Sequence, residues 1–259
     1  MRRKIECTMS LRRYLANVVD SDSVEALWDA HVTKMGEYSF DRLLYGFTRY
    51  RTATSLGDPG DFIVLTNHSR AYTDVFVDEG HYFHAPMVRW ALANDGVKSW
   101  KLLAEMENTK TLSAAERRVL EFNREMGVTA GYSISFKAAS ARSKGAIALT
   151  AQAGMTQADV DTVWAQHGAD IALMNNIVHL KILTLPYNTP NRALTARQRE
   201  ALEWVGDGKT TQDIAMLMGL TTATVEKHLR LARDALAVET TAQAVMKAAF
   251  TNQMFVLDL

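Results

Sequence analysis

Lys209, Lys227, His228, Arg230 and Arg233 crowd into the last quarter of the chain, interleaved with Thr210, Thr211, Thr221 and Thr222. Lysine and arginine neutralise phosphates, an arginine fork also reads the edge of a guanine, and threonine hydroxyls bond to a sugar–phosphate backbone. Such chemistry needs rigid elements to carry it, and the spacing from Leu194 to Phe250 predicts four short helices separated by tight polar turns. Thr195-x-x-Gln198 and Thr210-x-x-Asp213 are capping boxes, in which a hydroxyl and a side chain three residues on satisfy the free N–H groups of a helix start. Ile214, Leu217 and Met218 form an apolar stripe, and Gly219 takes the left-handed conformation that ends that helix. Thr221 or Thr222 caps the next helix. There Val225, Leu229, Ala232 and Leu236 recur on a buried side, opposite Glu226, Lys227, Arg230 and Arg233. Thr241 is expected to cap the last helix, which carries Ala244, Val245 and Ala248.

The middle pair of helices, 211–218 and 222–236, joined by Gly219-Leu220-Thr221, has the layout of a helix-turn-helix, whose second helix is shaped for a DNA major groove. A plainer alternative is a small helical bundle with a solvated charged face. Residues 192–259 hold eight Lys/Arg against eight Asp/Glu, whereas DNA affinity rests largely on phosphate neutralisation.

The segment resembles the LuxR-type helix-turn-helix. It carries Leu194-Thr195, Leu202-x-Trp204, Gly208-Lys209-Thr210, Ile214-Ala215 and Thr224-Val225-Glu-Lys-His228-Leu229 in register with that family's pattern. Gln198 stands where the family has Glu, and Thr240-Thr241 where it commonly has Asn-Arg. The resemblance implies that Glu226, Lys227 and Arg230 face bases or nearby phosphates, and that Lys209, Thr210, Thr211 and Thr222 hold the backbone. It also implies a homodimer on a palindromic double-stranded site.

The chain has 259 residues, enough for two domains, and a formal net charge of zero. A single cysteine, Cys7, excludes an internal disulfide framework and fits a reducing cytoplasm. The start, MRRKIEC, lacks the apolar run of a signal peptide, and no segment is long and apolar enough to span a membrane, so a soluble cytoplasmic protein is expected. Residues 185–191, with two of the four prolines, read as a short linker between an N-terminal domain (1–184) and the helix-turn-helix domain (192–259).

In the N-terminal domain, Val24, Leu27, Trp28, His31, Val32 and Met35 make one helical stripe, and 62–65 is a short strand run. Ser113-x-x-Glu116 caps a helix that stops at Gly127. Tyr132, Ile134 and Phe136 alternate with Ser133, Ser135 and Lys137, as on a strand with one buried face, and 145–151 reads as its hairpin partner. A long helix is expected from about Thr156 to Leu183. The sum is an α/β domain with an antiparallel sheet and helices on both faces. Tyr72, Phe76, Tyr82, Phe83, Trp90 and Trp100 cluster in sequence between the first strands and the next helix. They are either ordinary core or the wall of a small-molecule pocket.

This upstream part is similar to the autoinducer-binding domain of LuxR-type regulators, an α-β-α sandwich that holds an acyl-homoserine lactone. Pro86, Trp100 and Gly131 match that family's pattern. Tyr72 replaces its Trp, Phe76 its Tyr, and Ala85 its Asp. By resemblance, the lost carboxylate would accept from the ligand amide, the Trp would donate to the lactone carbonyl and the Tyr hydroxyl would bind the acyl carbonyl. Ala85 and Phe76 lack those groups, so the expected ligand is a small molecule other than a standard acyl-homoserine lactone, or none. Thr73, His81, Tyr82, His84 and Thr150 are candidate polar contacts for a different molecule.

Three function classes follow. The first is a DNA-binding regulator. The second is an interaction protein that dimerises with a related regulator and inhibits it. The third, an enzyme, is disfavoured: there is no Gly-rich phosphate loop, metal-spaced Cys/His cluster or nucleophile elbow, hence no catalytic residue, metal or cofactor is assigned. His68, His81 and His84 are close enough in sequence to suggest a ligand set but read more simply as solvated loop residues.

Overall fold

The helix starts are set locally. Ser23 caps α2 (Val24–Gly36), and capping boxes Ser113/Glu116 and Thr156/Asp159 open α6 (Ala114–Glu125) and α7 (Gln157–Ile182). The computed structural model describes residues 2–187 and 192–255, and divides into two compact units, Met1–Leu183 and Thr184–Leu259. Of the expected linker, 188–191 lie outside the described residues. Leu185 and Tyr187 belong to the second unit, where the Tyr187 N–H donates to Thr251 O at 3.2 Å and Asn252 Nδ2 to Leu185 O at 3.0 Å.

The first unit begins with α1 (Arg2–Val19) and α2, followed by β1 (Phe40–Thr48) and β2 (Ile63–Thr66). Short α3 (Arg70–Thr73) runs into a π turn, Asp74–Asp78, then come α4 (Pro86–Ala93), β3 (Gly96–Ser99), α5 (Lys101–Asn108) and α6. β4 (Gly131–Ser135), β5 (Lys144–Ala151) and α7 complete it. The sheet is wholly antiparallel in the order β2-β1-β5-β4-β3.

Register assigns each face. Tyr45 opposes Ile147, and Tyr132 opposes Leu149, placing them together on the face under α7. There Tyr132 stacks on Trp164 at 4.0 Å, Phe136 stacks on His179 at 4.0 Å, and the Tyr45 hydroxyl lies 2.9 Å from His179 Nδ1. His31 ties α1, α2 and α7 together: its Nδ1 is 2.7 Å from the Tyr14 hydroxyl and its Nε2 3.0 Å from Asn175 Oδ1. Because Asn175 Nδ2 already donates to Ile171 O, Asn175 Oδ1 is the acceptor and the Nε2–H tautomer satisfies every group. The opposite face carries Leu44, Ala148, Ser133 and Thr150 toward α3, α4 and α6.

The expected half-exposed β4 is corrected by this arrangement. Every residue of β4 is buried, Ser133 and Ser135 included. Both serines make internal bonds: Ser133 Oγ accepts from the Trp100 indole, and Ser135 Oγ donates to the Ala91 carbonyl of α4 at 2.8 Å. Helices on both faces, not solvent, cover the strand.

The second unit is helical: α8 (Ala196–Gly206), α9 (Thr211–Met218), α10 (Thr222–Leu236) and α11 (Thr241–Phe250). Leu202, Ile214, Val225, Leu229, Ala232, Leu236, Ala244 and Ala248 form its core. The capping boxes Thr195/Gln198 and Thr210/Asp213 are both formed, and Gly219 ends α9 at φ 66°. Thr221, of the two alternatives, caps α10. The cap of α11 is Thr240, boxed with Gln243, rather than Thr241, which is already helical. Either threonine could serve by type; the bond from the Arg233 guanidinium to Thr241 Oγ1, 2.9 Å, commits Thr241 elsewhere.

Candidate ligand cavity and nucleic-acid interface

Between the sheet face of Leu44, Ala148 and Ser133 and the segments α3, α4 and α6 lies a mainly apolar cavity of about 200 Å³. Tyr72, on α3, is 3% exposed and sits in a run of stacked rings: His68 at 4.4 Å, Phe76 at 5.1 Å and Phe122 at 5.5 Å. Phe76, in the π turn, stacks against Tyr72 four residues before it. The Tyr72 hydroxyl donates to Asn123 Oδ1 of α6 at 3.2 Å. Burial raises this phenol well above its ordinary range, so it stays neutral. His68 is also held neutral, lowered to about 4 first by burial and then by the Arg42 charge.

Ala85 and Pro86 form the start of α4, and both line the cavity. Ala85 is its N-cap and supplies no side-chain cap bond. Trp100, 7% exposed, follows β3 and turns its indole onto β4, where Nε1 donates to Ser133 Oγ at 2.9 Å. Gly131 is not in the cavity wall but seats this ring: a Cβ there would collide with the Leu149 carbonyl and the Trp100 indole. Thr150 lines the cavity from β5, and its buried hydroxyl has no hydrogen-bond partner among the described residues. No carboxylate lines the cavity among the described residues. Its lysine, Lys144, is engaged by Asp95 Oδ1 at 2.6 Å and the Asn94 carbonyl at 2.9 Å.

Several sequence candidates stand away from this wall. Phe83 is 58% exposed, and Trp90 does not line the cavity. Thr73 Oγ1 donates to Arg70 O within its own helix. Of the three loop histidines, His84 is exposed, but His68 and His81 are not free in solvent: His68 stacks on Tyr72, and His81 packs 5.7 Å from Phe122. The described residues contain no group of three or more His, Cys, Asp or Glu able to hold a metal. Asn123 and Ser133, which the sequence reading did not select, complete the polar contacts of Tyr72 and Trp100. The serines that alternate with apolar residues along β4 are the one available signal for Ser133.

In the second unit, Lys209 and Thr210 are exposed at the entry to α9. Thr222, Glu226, Lys227 and Arg230 are exposed along α10. Arg230 Nη1 is held by Asp234 Oδ2 at 3.0 Å, an exchangeable surface pair. Thr211 donates to Glu226 Oε1 at 3.0 Å, fixing α9 against α10. His228 and Arg233, placed with the exposed basic set by spacing, are instead partly buried, and Arg233 ties α10 to α11 through Thr241. No helix among the described residues is long and apolar enough to cross a membrane.

Comparison with known proteins agrees with these two units. Residues 23–182 match the family model described as autoinducer binding domain, and residues 192–248 match that of bacterial regulatory proteins, luxR family. The chain is 25% identical over 235 residues to the transcriptional activator protein AnoR of Acinetobacter nosocomialis, covering 89% of this chain and 92% of AnoR. It is 22% identical over 194 residues to LuxR of Aliivibrio fischeri (strain ATCC 700601 / ES114), covering 74% and 75%. Among solved structures, SdiA in complex with octanoyl-rac-glycerol aligns with TM-score 0.53 and 15% identity, covering 94% of this chain and 95% of SdiA. The N-acylhomoserine lactone dependent factor CepR2 of Burkholderia cenocepacia gives TM-score 0.52 and 16% identity, covering 66% of this chain and 92% of CepR2. With an autoinducer-binding domain over most of its length and a luxR-type helix-turn-helix after it, the chain belongs to the LuxR family of bacterial regulatory proteins.

Proposed function

We propose that this chain regulates transcription as a homodimer on a palindromic site, under control of a small, largely apolar ligand other than a standard acyl-homoserine lactone. The observation that carries the ligand half is the cavity itself: it is large enough for a small molecule, yet Ala85 and Phe76 leave it without a carboxylate or a phenol at those positions. For an amide-bearing ligand, an unpaired buried N–H costs about 1–3 kcal/mol. The DNA half rests on the exposed row Thr222, Glu226, Lys227 and Arg230 along α10. In this reading Glu226, Lys227 and Arg230 meet bases or adjacent phosphates, while Lys209, Thr210, Thr211 and the helix N-termini hold the backbone.

The test is a salt-controlled titration of full-length protein on specific and unrelated duplexes, with mass spectrometry of any compound that co-purifies. Arg230→Ala is expected to lower specific binding much more than non-specific binding. Equal losses would remove Arg230 from base readout. A folded, DNA-binding protein with no co-purified compound and no response to added ligand would favour ligand-independent action.

A second reading is an inhibitor that dimerises with a related regulator. The even count of eight basic and eight acidic residues in 192–259 favours it. Retention of a relative with no shift of any promoter duplex at low salt would select it over the first.

A further inference from the structure

Thr150 is 1% exposed, lines the cavity, and has a side-chain oxygen with no protein partner among the described residues. A buried hydroxyl without a partner is costly, and such groups are few in folded proteins. Among the described residues, no other side-chain nitrogen or oxygen on the wall is both fully buried and without a partner: Thr48 donates to Leu56 O at 2.8 Å, Tyr72 to Asn123, and Lys144 binds Asp95.

Ser133 belongs beside Thr150. Its oxygen accepts from the Trp100 indole, but its own hydroxyl proton has no acceptor among the described residues. Thr150 pairs with Gly131 across β4 and β5, and Ser133 pairs with Ala148. The two side chains are therefore diagonal neighbours on one sheet face, their β-carbons about 7 Å apart as in antiparallel sheets generally, so that hydroxyls turned toward each other can share one acceptor. Two unspent O–H donors, this close and roofed by an indole, suit the lone pairs of a carbonyl-type oxygen. No carboxylate faces them to receive an N–H or balance a cation.

We infer that the Thr150 hydroxyl, with that of Ser133, anchors a carbonyl oxygen of an uncharged ligand whose head group needs no N–H donor, such as an ester or ketone. This rests on the proposed reading that the cavity takes a small molecule.

The test uses two matched probes on the full chain: N-octanoyl-homoserine lactone, and the octanoyl ester of α-hydroxy-γ-butyrolactone, in which oxygen replaces the amide N–H. Affinity and thermal shift are measured for wild type, Thr150→Val and Thr150→Ser. Wild type is expected to bind the ester at least as tightly as the amide. Thr150→Val, which replaces the hydroxyl with a methyl of the same shape, is expected to weaken the ester about tenfold, with Thr150→Ser restoring it. Without ligand, Thr150→Val should melt at the same temperature or higher, because an unsatisfied polar group has been removed. A Thr150 of purely structural role would show the reverse, a lower melting temperature with ligand affinity unchanged, and that result overturns the assignment. Tighter binding of the amide by wild type also overturns it. Binding of neither probe overturns the ligand-binding reading, and this assignment with it.

Discussion

The Trp100 indole donates to Ser133 Oγ at 2.9 Å with both side chains buried, and Gly131, two residues before Ser133, lies beneath the same ring. One strand thus provides both the hydrogen-bond acceptor and the clearance that set the cavity's largest side chain. Ser133→Ala would leave the indole N–H unpaired, a loss of about 1–3 kcal/mol. Gly131→Ala should cost more, about 2–4 kcal/mol, because the Leu149 carbonyl it would strike is backbone and cannot swing away. Urea unfolding followed by tryptophan fluorescence measures both. A Ser133→Ala midpoint equal to wild type would show that this bond contributes nothing net.

The buried histidines make the first unit sensitive to acid. Burial lowers His31 to about 4 against an opposing bond from Asn175, and lowers His179 to about 4 with help from the Arg49 charge. Unfolded histidine titrates near 6.5, so between 6.5 and 4 the unfolded chain binds protons that the native rings refuse. The stability contribution is complete above pH 6.5 and is lost as pH falls toward 4, by about 3 kcal/mol for each ring. Urea midpoints should drop steeply from pH 7 to 4.5. His179→Phe should make that profile shallower, with His31 and His68 still titrating, while keeping the stack on Phe136, though Tyr45 then loses its partner. A wild-type profile flat over that range would contradict the argument.

Legibility in the sequence followed the range of the interactions. Thr195/Gln198 and Thr210/Asp213 act across three residues, so the helix starts of the second unit could be read directly. β1 could not: Asp41, Arg42 and Gly46 interrupt its apolar residues, and a register shift between Phe40 and Arg42 breaks the alternation. Arg42 is spent on the carbonyls of Gly127 and Ala151, at 3.2 Å and 2.9 Å, partners more than eighty residues away. The cavity was partly legible through Tyr72, Phe76, Ala85 and Trp100. Asn123 and Ser133 were not, because their partners come from other elements. Arg233 shows the opposite error, a basic residue assigned to the exposed face by spacing and drawn inward by Thr241.

That Arg233–Thr241 bond ties α10 to α11 at the position where the family's usual arginine is missing, beside the buried bond from Lys247 Nζ to the Leu236 carbonyl at 2.7 Å. Thr241→Val removes the acceptor from a partly buried guanidinium and should lower the stability of the second unit by about 1–2 kcal/mol. At a temperature where the variant is fully folded, specific DNA affinity should stay within about twofold of wild type, since Thr241 is on α11 and its partner Arg233 is partly buried rather than one of the exposed residues of α10. A large affinity loss in the folded variant would instead place this pair at the DNA surface.

Ala237 ends α10 in the left-handed conformation, φ 51° and ψ 56°, a position that α9 gives to Gly219. Its N–H and that of Val238 close the helix onto the carbonyls of Asp234 and Arg233 at 3.1 Å and 3.0 Å, so the conformation is needed and the side chain is not. The methyl is exposed and its steric strain is not offset by packing. Ala237→Gly should therefore stabilise the second unit by about 0.5–1 kcal/mol, the relief of strain outweighing the added freedom of glycine in the unfolded chain. Calorimetry of the full chain should show the corresponding transition a few degrees higher, with DNA affinity unchanged. An unchanged or lower transition would mean that alanine is not strained enough at this cap to outweigh the added freedom of glycine in the unfolded chain.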